Sequence, residues 1–276
     1  MYLRIHHETS YHYDAPVKAA SQILRLSPRS HDGQNVIGWQ VRATGRRELP
    51  SFIDGFGNLV HCHAVNHPHD FLIILAAGAV RTAETHGIVR GAAEPLPPLF
   101  FLRPTSLTRP DAALIAFAAD LARHGAPLAV LHALMQAVHQ RLPYRTGVTG
   151  AATTAAEALA LGAGVCQDHA HVFITASRAL GIPARYIGGY LWTGSETMTS
   201  EASHAWAEAF VPDLGWVGFD PSNQTCVTEA HIRVSVGLDY LSAAPSRGVR
   251  QGVAGETLAV EVRVTDDATR LDGATQ

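Results

Sequence analysis

Cys166, His204 and Asp220 are residue types that together carry out acyl transfer through a thioester, and each stands in a local pattern that suits the task. Gly162-Ala163-Gly164-Val165 leads into Cys166, an apolar helical pattern follows, and Gly181-Ile182-Pro183 closes it before a β-branched run. This reads as loop, helix, turn and strand, with Cys166 in the first turn of the helix. Unbonded N–H groups at a helix start and the positive end of its dipole both stabilise a thiolate. A lone cysteine is more often a small buried hydrophobe. Two later stretches favour the chemical reading: 203–211 (SHAWAEAFV) reads as a strand bearing His204, and 216–221 (WVGFDP) as a strand ending in Asp220. Nucleophile, base and orienter then occur in that order.

For His204 and Asp220 to meet, their strands must pair in one register. Pro212-Asp213-Leu214-Gly215 is turn chemistry, so an antiparallel hairpin is expected. If Val211 pairs with Gly215, Trp206 faces Asp220 and His204 is its diagonal neighbour on the same face, about 7–8 Å away at the backbone. A slip of one residue would put them on opposite faces.

The motifs Gly164-Val165-Cys166-Gln167-Asp168, Gly181-Ile182-Pro183-Ala184-Arg185-Tyr186, Ser203-His204-Ala205-Trp206 and Gly215-Trp216-Val217-Gly218-Phe219-Asp220-Pro221-Ser222 together resemble the transglutaminase-like superfamily. The opening residues 3–16 and the later Asp54-Gly55-Phe56-Gly57-Asn58 are similar to the β-rich N-terminal domain of its bacterial members. The resemblance implies a papain-like fold with a cysteine triad, and leaves the substrate open among cross-linking enzymes, peptidases, amidases and inactive members. It also places the segment before the cysteine helix beside the site. Tyr144 is therefore a candidate oxyanion donor with the Cys166 N–H, or else a partly buried tyrosine closing a helix end. Trp206 and Trp216 share strand faces with His204 and Asp220, as cleft walls or as ordinary core. Gln167 and Asp168 are read as bonding the first helical turn and neighbouring loops. His169 is a departure, since an aromatic or apolar residue is more usual there.

Length and charge bound the rest. A chain of 276 residues suits two domains or one large one, and 21 basic against 24 acidic residues give no pull toward nucleic acid or anionic membrane. Three cysteines without framework spacing argue against a disulfide scaffold. The first residues lack a signal-peptide pattern and the longest apolar run, 71–80, is too short for a bilayer, which needs about 20 residues. The expectation is a soluble, cytoplasmic protein.

The elements follow as an α+β arrangement. Leu3, Ile5, Thr9, Tyr11 and Tyr13 share one parity, and with 23–26, 36–43, 59–64 and 71–80 predict an antiparallel sandwich or barrel-like sheet over residues 1–93. Five prolines mark 94–110 as a connection, whose Leu99, Phe100, Phe101 and Leu102 suggest packing onto the body. Residues 111–242 form the core, a cysteine-bearing helix on an antiparallel sheet. They open with a helix capped near Thr108 and Asp111 and reaching about Arg123, then a helix over 128–141 and a short one from Thr154. In 243–276, 245–255 reads as loop, alternating Leu258, Val260, Val262 and Val264 as a strand that returns to the N-terminal sheet, and the end as a polar tail.

The leading expectation is an enzyme acting on a peptide or protein amide, without cofactor or metal. Two alternatives stand beside it. One is a metal-dependent hydrolase using Cys166, His169 and His171, or His61-Cys62-His63, although neither set has recognised zinc spacing. The other is a non-catalytic binding or scaffold module that keeps the fold. Oligomeric state is not legible.

Overall fold

A computed structural model describes residues 1–194 and 203–266. The polar tail beyond Asp266 lies outside the described residues. Strand β1 (Tyr2–Val17) buries Leu3, Ile5, Tyr11 and Tyr13 on one parity. After it come β2 (Ala19–Ser27), β3 (Gln34–Ala43), the short β4 (Ser51–Ile53), β5 (Leu59–Val65) and β6 (His69–Thr82). They form two four-stranded sheets, completed by β13 (Ser246–Gln251) and β14 (Glu256–Asp266), in the orders β14-β1-β6-β3 and β13-β2-β5-β4. Leu24 and Leu26 of one sheet pack with Val41, Leu72, Ile74 and Ala76 of the other, so the sheets close as a sandwich.

The C-terminal alternation at 258–264 is β14, which runs antiparallel to β1 from Tyr13 opposite Glu256 to Leu3 opposite Asp266. The stretch 245–255, expected as loop, holds β13 paired with β2. Its residues are almost all exposed, so this edge strand carries no apolar alternation that a sequence reading could use. The two-residue strand β7 (Ile88–Val89) was also missed: it joins the sheet of the core beside Trp216 and Val217.

The proline-rich connection is held down at two points. Phe101, in a 3-10 turn over Pro98–Leu102, is buried with its ring edge-on to Trp216 at 5.2 Å. Glu94 pairs with Arg185. Leu99 is exposed.

In the core, α1 (Ala112–Leu121) is capped by Asp111, which accepts from the Leu114 amide at 2.8 Å. Thr108, also expected in this cap, bonds Thr105 instead. The helices α2 (Pro127–Arg141) and α3 (Ala155–Leu161) precede α4 (Cys166–Ala179), and α3 carries the expected Thr154/Glu157 capping box. The sheet consists of β8 (Ala184–Leu191), β9 (Ser203–Val211), β10 (Gly215–Asp220), β11 (Thr225–Cys226) and β12 (His231–Gly237), in the order β11-β10-β9-β8-β12, with β7 alongside β10. The mixed apolar stretch at 234–241 is thus the end of β12 and the start of a short helix, α5 (Tyr240–Ala243).

Helix α4 lies on this sheet because Val172, Phe173, Ile174 and Ala176 meet the small side chains of Ala205, Ala207 and Ala209. Phe173 stacks on Phe219 at 5.3 Å. Burying a side chain of that size contributes about 1.5–3 kcal/mol. Gly181, with φ of 76°, reverses the chain after α4 at a backbone angle that L side chains rarely adopt. Behind the sheet, Glu208 is fully buried between Arg185 and Arg233. No helix among the described residues is long and apolar enough to cross a membrane.

Candidate active site

The start of α4 is fixed by Asp168. Its Oδ2 accepts from the Val165 amide at 2.8 Å and from Thr149 Oγ1 at 2.6 Å. A Cβ on Gly164 would stand 2.6 Å from this side chain, so glycine is required before the turn. Cys166 is thereby the first helical residue, and helix geometry leaves its amide and that of Gln167 without an intrahelical acceptor. Gln167 reaches the Gly150 carbonyl at 3.3 Å.

The hairpin of β9 and β10 pairs Val211 with Gly215 and continues to Ala207 opposite Phe219, the register expected from the turn. Asp213 and Gly215 take positive φ values of 70° and 86° in that turn. His204 and Asp220 consequently share a face, with Nε2 of the imidazole 2.7 Å from Oδ2 of the carboxylate. With Nε2 so engaged, Nδ1 is the nitrogen left for the hydrogen bond between His204 and Cys166. The three residues thus form a chain of contacts from thiol to imidazole to carboxylate.

Asp220 is fully buried and saturated with donors. Oδ2 also accepts from Asn223 Nδ2 at 2.7 Å and from His231 Nε2 at 3.1 Å, while Oδ1 accepts the Ser222 and Asn223 amides. The Thr228 amide donates to His231 Nδ1 at 3.1 Å. An amide can only donate, so His231 carries its proton on Nε2 and presents it to Asp220. Neither Asn223 nor His231 was singled out in the sequence. Asn223 follows Asp220 closely enough to suggest a local turn bond, whereas His231 opens an ordinary strand with nothing local to tie it to Asp220.

Burial alone would lower the His204 pKa, but hydrogen bonds from Asp220 and then Cys166, with their charges, carry it up to about 10. Burial likewise opposes ionisation of Asp220. The hydrogen bonds of His204 and His231 overcome it and hold the carboxyl well below the usual carboxylate range.

His169 is buried and bridges two neighbours, with Nε2 donating to the Leu142 carbonyl at 2.6 Å and Nδ1 accepting from Ser222 Oγ at 2.7 Å. It ties α4 to the loop after Asp220. His171 Nε2 accepts from the Tyr240 amide at 3.0 Å, and burial lowers its pKa to about 4. Both rings are thus engaged with protein groups and do not gather with Cys166 as ligands. Among the described residues, the set of ligand atoms within 4.8 Å of one another is that of His204, Asp220 and His231. Their lone pairs and protons already serve one another as hydrogen bonds, which a metal would have to displace. His61, Cys62 and His63 follow one another along β5 and do not converge as a ligand set, again among the described residues.

A cavity of about 420 Å³ opens between the sandwich and the core. Cys166, Gln167, Tyr144, Ser203 and His204 line it from the core, and His7, Thr9, Tyr11 and Arg25 from the sandwich. Trp206 and Trp216 are absent from its walls. Trp206 packs between His204 and His231, and Trp216 against Phe101, Phe210 and Arg185, so both are core. A shallower depression of about 470 Å³ over β1, β3 and β6 contains none of the three residues.

Comparison with known proteins gives the family and the fold. The profile of the transglutaminase-like superfamily matches residues 115–221, and that of the bacterial transglutaminase-like N-terminal region matches residues 3–81. The chain belongs to the transglutaminase-like superfamily. An uncharacterized Mycobacterium leprae protein is 30% identical over 95% of this chain and 98% of its own length. A protein-glutamine gamma-glutamyltransferase of Pseudomonas aeruginosa is 30% identical over 45% of this chain and 19% of its own length. A Cytophaga hutchinsonii structure whose name suggests a cysteine protease superposes with a TM-score of 0.72 at 21% identity, covering 96% of this chain and 91% of that one. The transglutaminase-like fold therefore extends over the sandwich as well as the core.

Proposed function

We propose that this transglutaminase-like protein is an enzyme that cleaves or transfers amide bonds, in peptides or at glutamine side chains, with Cys166 as nucleophile, His204 as acid and base and Asp220 as orienter. The observation that carries the reading is the contact chain from Cys166 through His204 to Asp220, set in the wall of a half-open cavity. Sulfur attacks the carbonyl carbon, and the C–N bond breaks as His204 delivers its proton to the leaving amine. Water or a second amine then gives His204 a proton and displaces sulfur from the thioester. The Cys166 amide supports the developing oxyanion, with Tyr144 beside it in the cavity wall. The three free cysteines fit a reducing, cytoplasmic location.

A panel of amide substrates, scored for ammonia release, peptide hydrolysis and amine incorporation, tests this and separates water from amine as acceptor. Turnover lost in Cys166→Ala supports the assignment. Turnover unchanged in Cys166→Ala refutes it, and a well-folded protein inert to the panel and to thiol alkylation at Cys166 favours the scaffold reading.

A further inference from the structure

The cavity beside Cys166 contains a cationic group that the acyl-transfer reading does not use. Arg25 reaches it from β2. Its Nε donates to Asp54 Oδ2 at 3.0 Å, the one hydrogen bond its side chain makes among the described residues. Nη1 is enclosed without an acceptor. Leaving such a donor unpaired is costly in a folded protein and points to a partner supplied from outside.

The motif Asp54-Gly55-Phe56-Gly57-Asn58 is what holds Arg25 there. Asp54 Oδ1 accepts the amides of Phe56 and Asn58, and Oδ2 takes Asn58 Nδ2 beside Arg25 Nε. Asn58 in turn exchanges two bonds of 2.8 Å with the backbone of Val236 on β12, which joins the turn to the core. The guanidinium is therefore anchored along one edge, and its two terminal nitrogens have no protein acceptor among the described residues. Across the rest of the described lining there is no Asp, Glu or Lys. His7 is held neutral, its pKa lowered to about 4 by burial and the nearby His6. Arg25 is ion-paired with Asp54, so what it offers a ligand is directed N–H donors rather than an excess of positive charge.

We propose that the cavity binds a substrate bearing a carboxylate, such as a free peptide C-terminus, and that Arg25 is the residue that receives it. This deepens the acyl-transfer reading by naming the class of substrate, and rests on it for the choice of Cys166 as the reacting end. A planar guanidinium whose Nη groups have no protein acceptor among the described residues, Nη2 being the accessible one, suits a charge-assisted bond to a carboxylate.

Chloroacetyl oligoglycines of one to four residues, each as free acid and as C-terminal amide, provide the test. In labelling, the Cys166 thiolate forms the S–C bond and chloride leaves. The readout is the ratio of acid to amide labelling rate at each length, which cancels differences in thiol reactivity. An anion approaching a thiolate is otherwise disfavoured, so an acid preference is not a generic result. The expected ratio is about tenfold or more at one length, near unity in Arg25→Gln and intermediate in Arg25→Lys. A ratio near unity at every length in the parent protein, or a preference that survives Arg25→Gln, overturns the proposal while leaving Cys166 labelling by iodoacetamide to judge the nucleophile. If Cys166 is not labelled at all, calorimetry on Cys166→Ala decides with unmodified oligoglycine acids and amides. An acid preference lost with Arg25→Gln supports the subsite, and equal binding refutes it.

Discussion

Replacing Asp220 by asparagine keeps the shape of the side chain and removes its charge, and the surrounding bonds set the consequence. All five groups that contact the carboxylate are donors. The carboxamide introduced by Asp220→Asn must turn its NH2 toward one set of them. Facing Oδ1's partners, it strands two backbone amides. Facing His204, it favours the tautomer with Nε2 as acceptor and the proton on Nδ1, the nitrogen that should receive one. Each misplaced buried donor costs about 1–3 kcal/mol. The larger effect is on the imidazolium. The His204 pKa rises from 6.5 to about 10, on the order of 4–5 kcal/mol in favour of the cation at about 1.36 kcal/mol per unit. Asp220 and Cys166 share that effect, so losing one partner is expected to remove roughly half. Asp220→Asn should then shift proton transfer from thiol to imidazole toward the neutral pair by about 10- to 100-fold and slow alkylation of Cys166 by iodoacetamide at pH 6 by up to that factor. Turnover should fall less than in Cys166→Ala and less than the ~10⁴ known for the equivalent change in serine triads, because a cysteine–histidine ion pair forms more readily. Peptide mass spectrometry reads the rates, with Cys62 and Cys226 as internal references. The Cys226 thiol is pushed up by burial and by Glu84, so it should lag. A folded Asp220→Asn protein that labels at the parent rate at pH 6 refutes the role given to the carboxylate.

His204→Ala should slow labelling of Cys166 and leave that of Cys62 and Cys226 unchanged; equal rates at all three thiols in the parent would count against a nucleophile. His231→Phe removes one donor from Asp220, so a loss of about 1–2 kcal/mol in denaturant stability is expected with a several-fold fall in Cys166 labelling, and unchanged labelling would make His231 a purely packing residue. Glu208→Gln should destabilise the fold by about 3–5 kcal/mol by leaving Arg233 without a carboxylate and Arg185 with Glu94 alone, measured by urea unfolding; a loss below about 1 kcal/mol refutes the network's importance. Stability should peak near pH 6.5. His204, raised to about 10, contributes stability that is full below about 6.5 and is lost as pH climbs toward 10. His7, His31 and His171, each lowered to about 4 mainly by burial, favour the folded state above 6.5 and lose that contribution as pH falls through 4. Asp220 and Glu208, both depressed by their partners, extend the loss to lower pH. Flat stability between pH 4 and 6.5 would contradict this assignment.

Local patterns made the transglutaminase-like core readable because each rested on a short-range constraint. The loop, helix and turn around Cys166 follow from glycine placement and the Asp168 cap, and the hairpin register follows once the turn closes Val211 on Gly215. Elements without an apolar signature escaped. β13 is polar and exposed, β7 has two residues, and Trp206 and Trp216 fall on the strand parity of His204 and Asp220 but face packed layers rather than the cavity.

The pocket itself was illegible for a different reason. Its sandwich wall is built from β1 and β2, its reacting wall from α4 and β9, and no periodicity relates residues so far apart along the chain. The two walls are joined by an apolar cluster, Leu3, Ile5, Val262 and Val264 with Tyr190, Ile232 and Val234, and by specific polar bonds: Asn58 on Val236, the hydroxyl of Tyr190 on His7 at 2.8 Å, and Gln34 on the backbone of Arg233. β13 and β14 lie beyond the core in sequence yet complete the two sandwich sheets, so the chain enters and leaves the core through the sandwich. The sandwich wall that carries Arg25 and the core wall that carries Cys166 thereby face one cavity although the chain reaches them far apart.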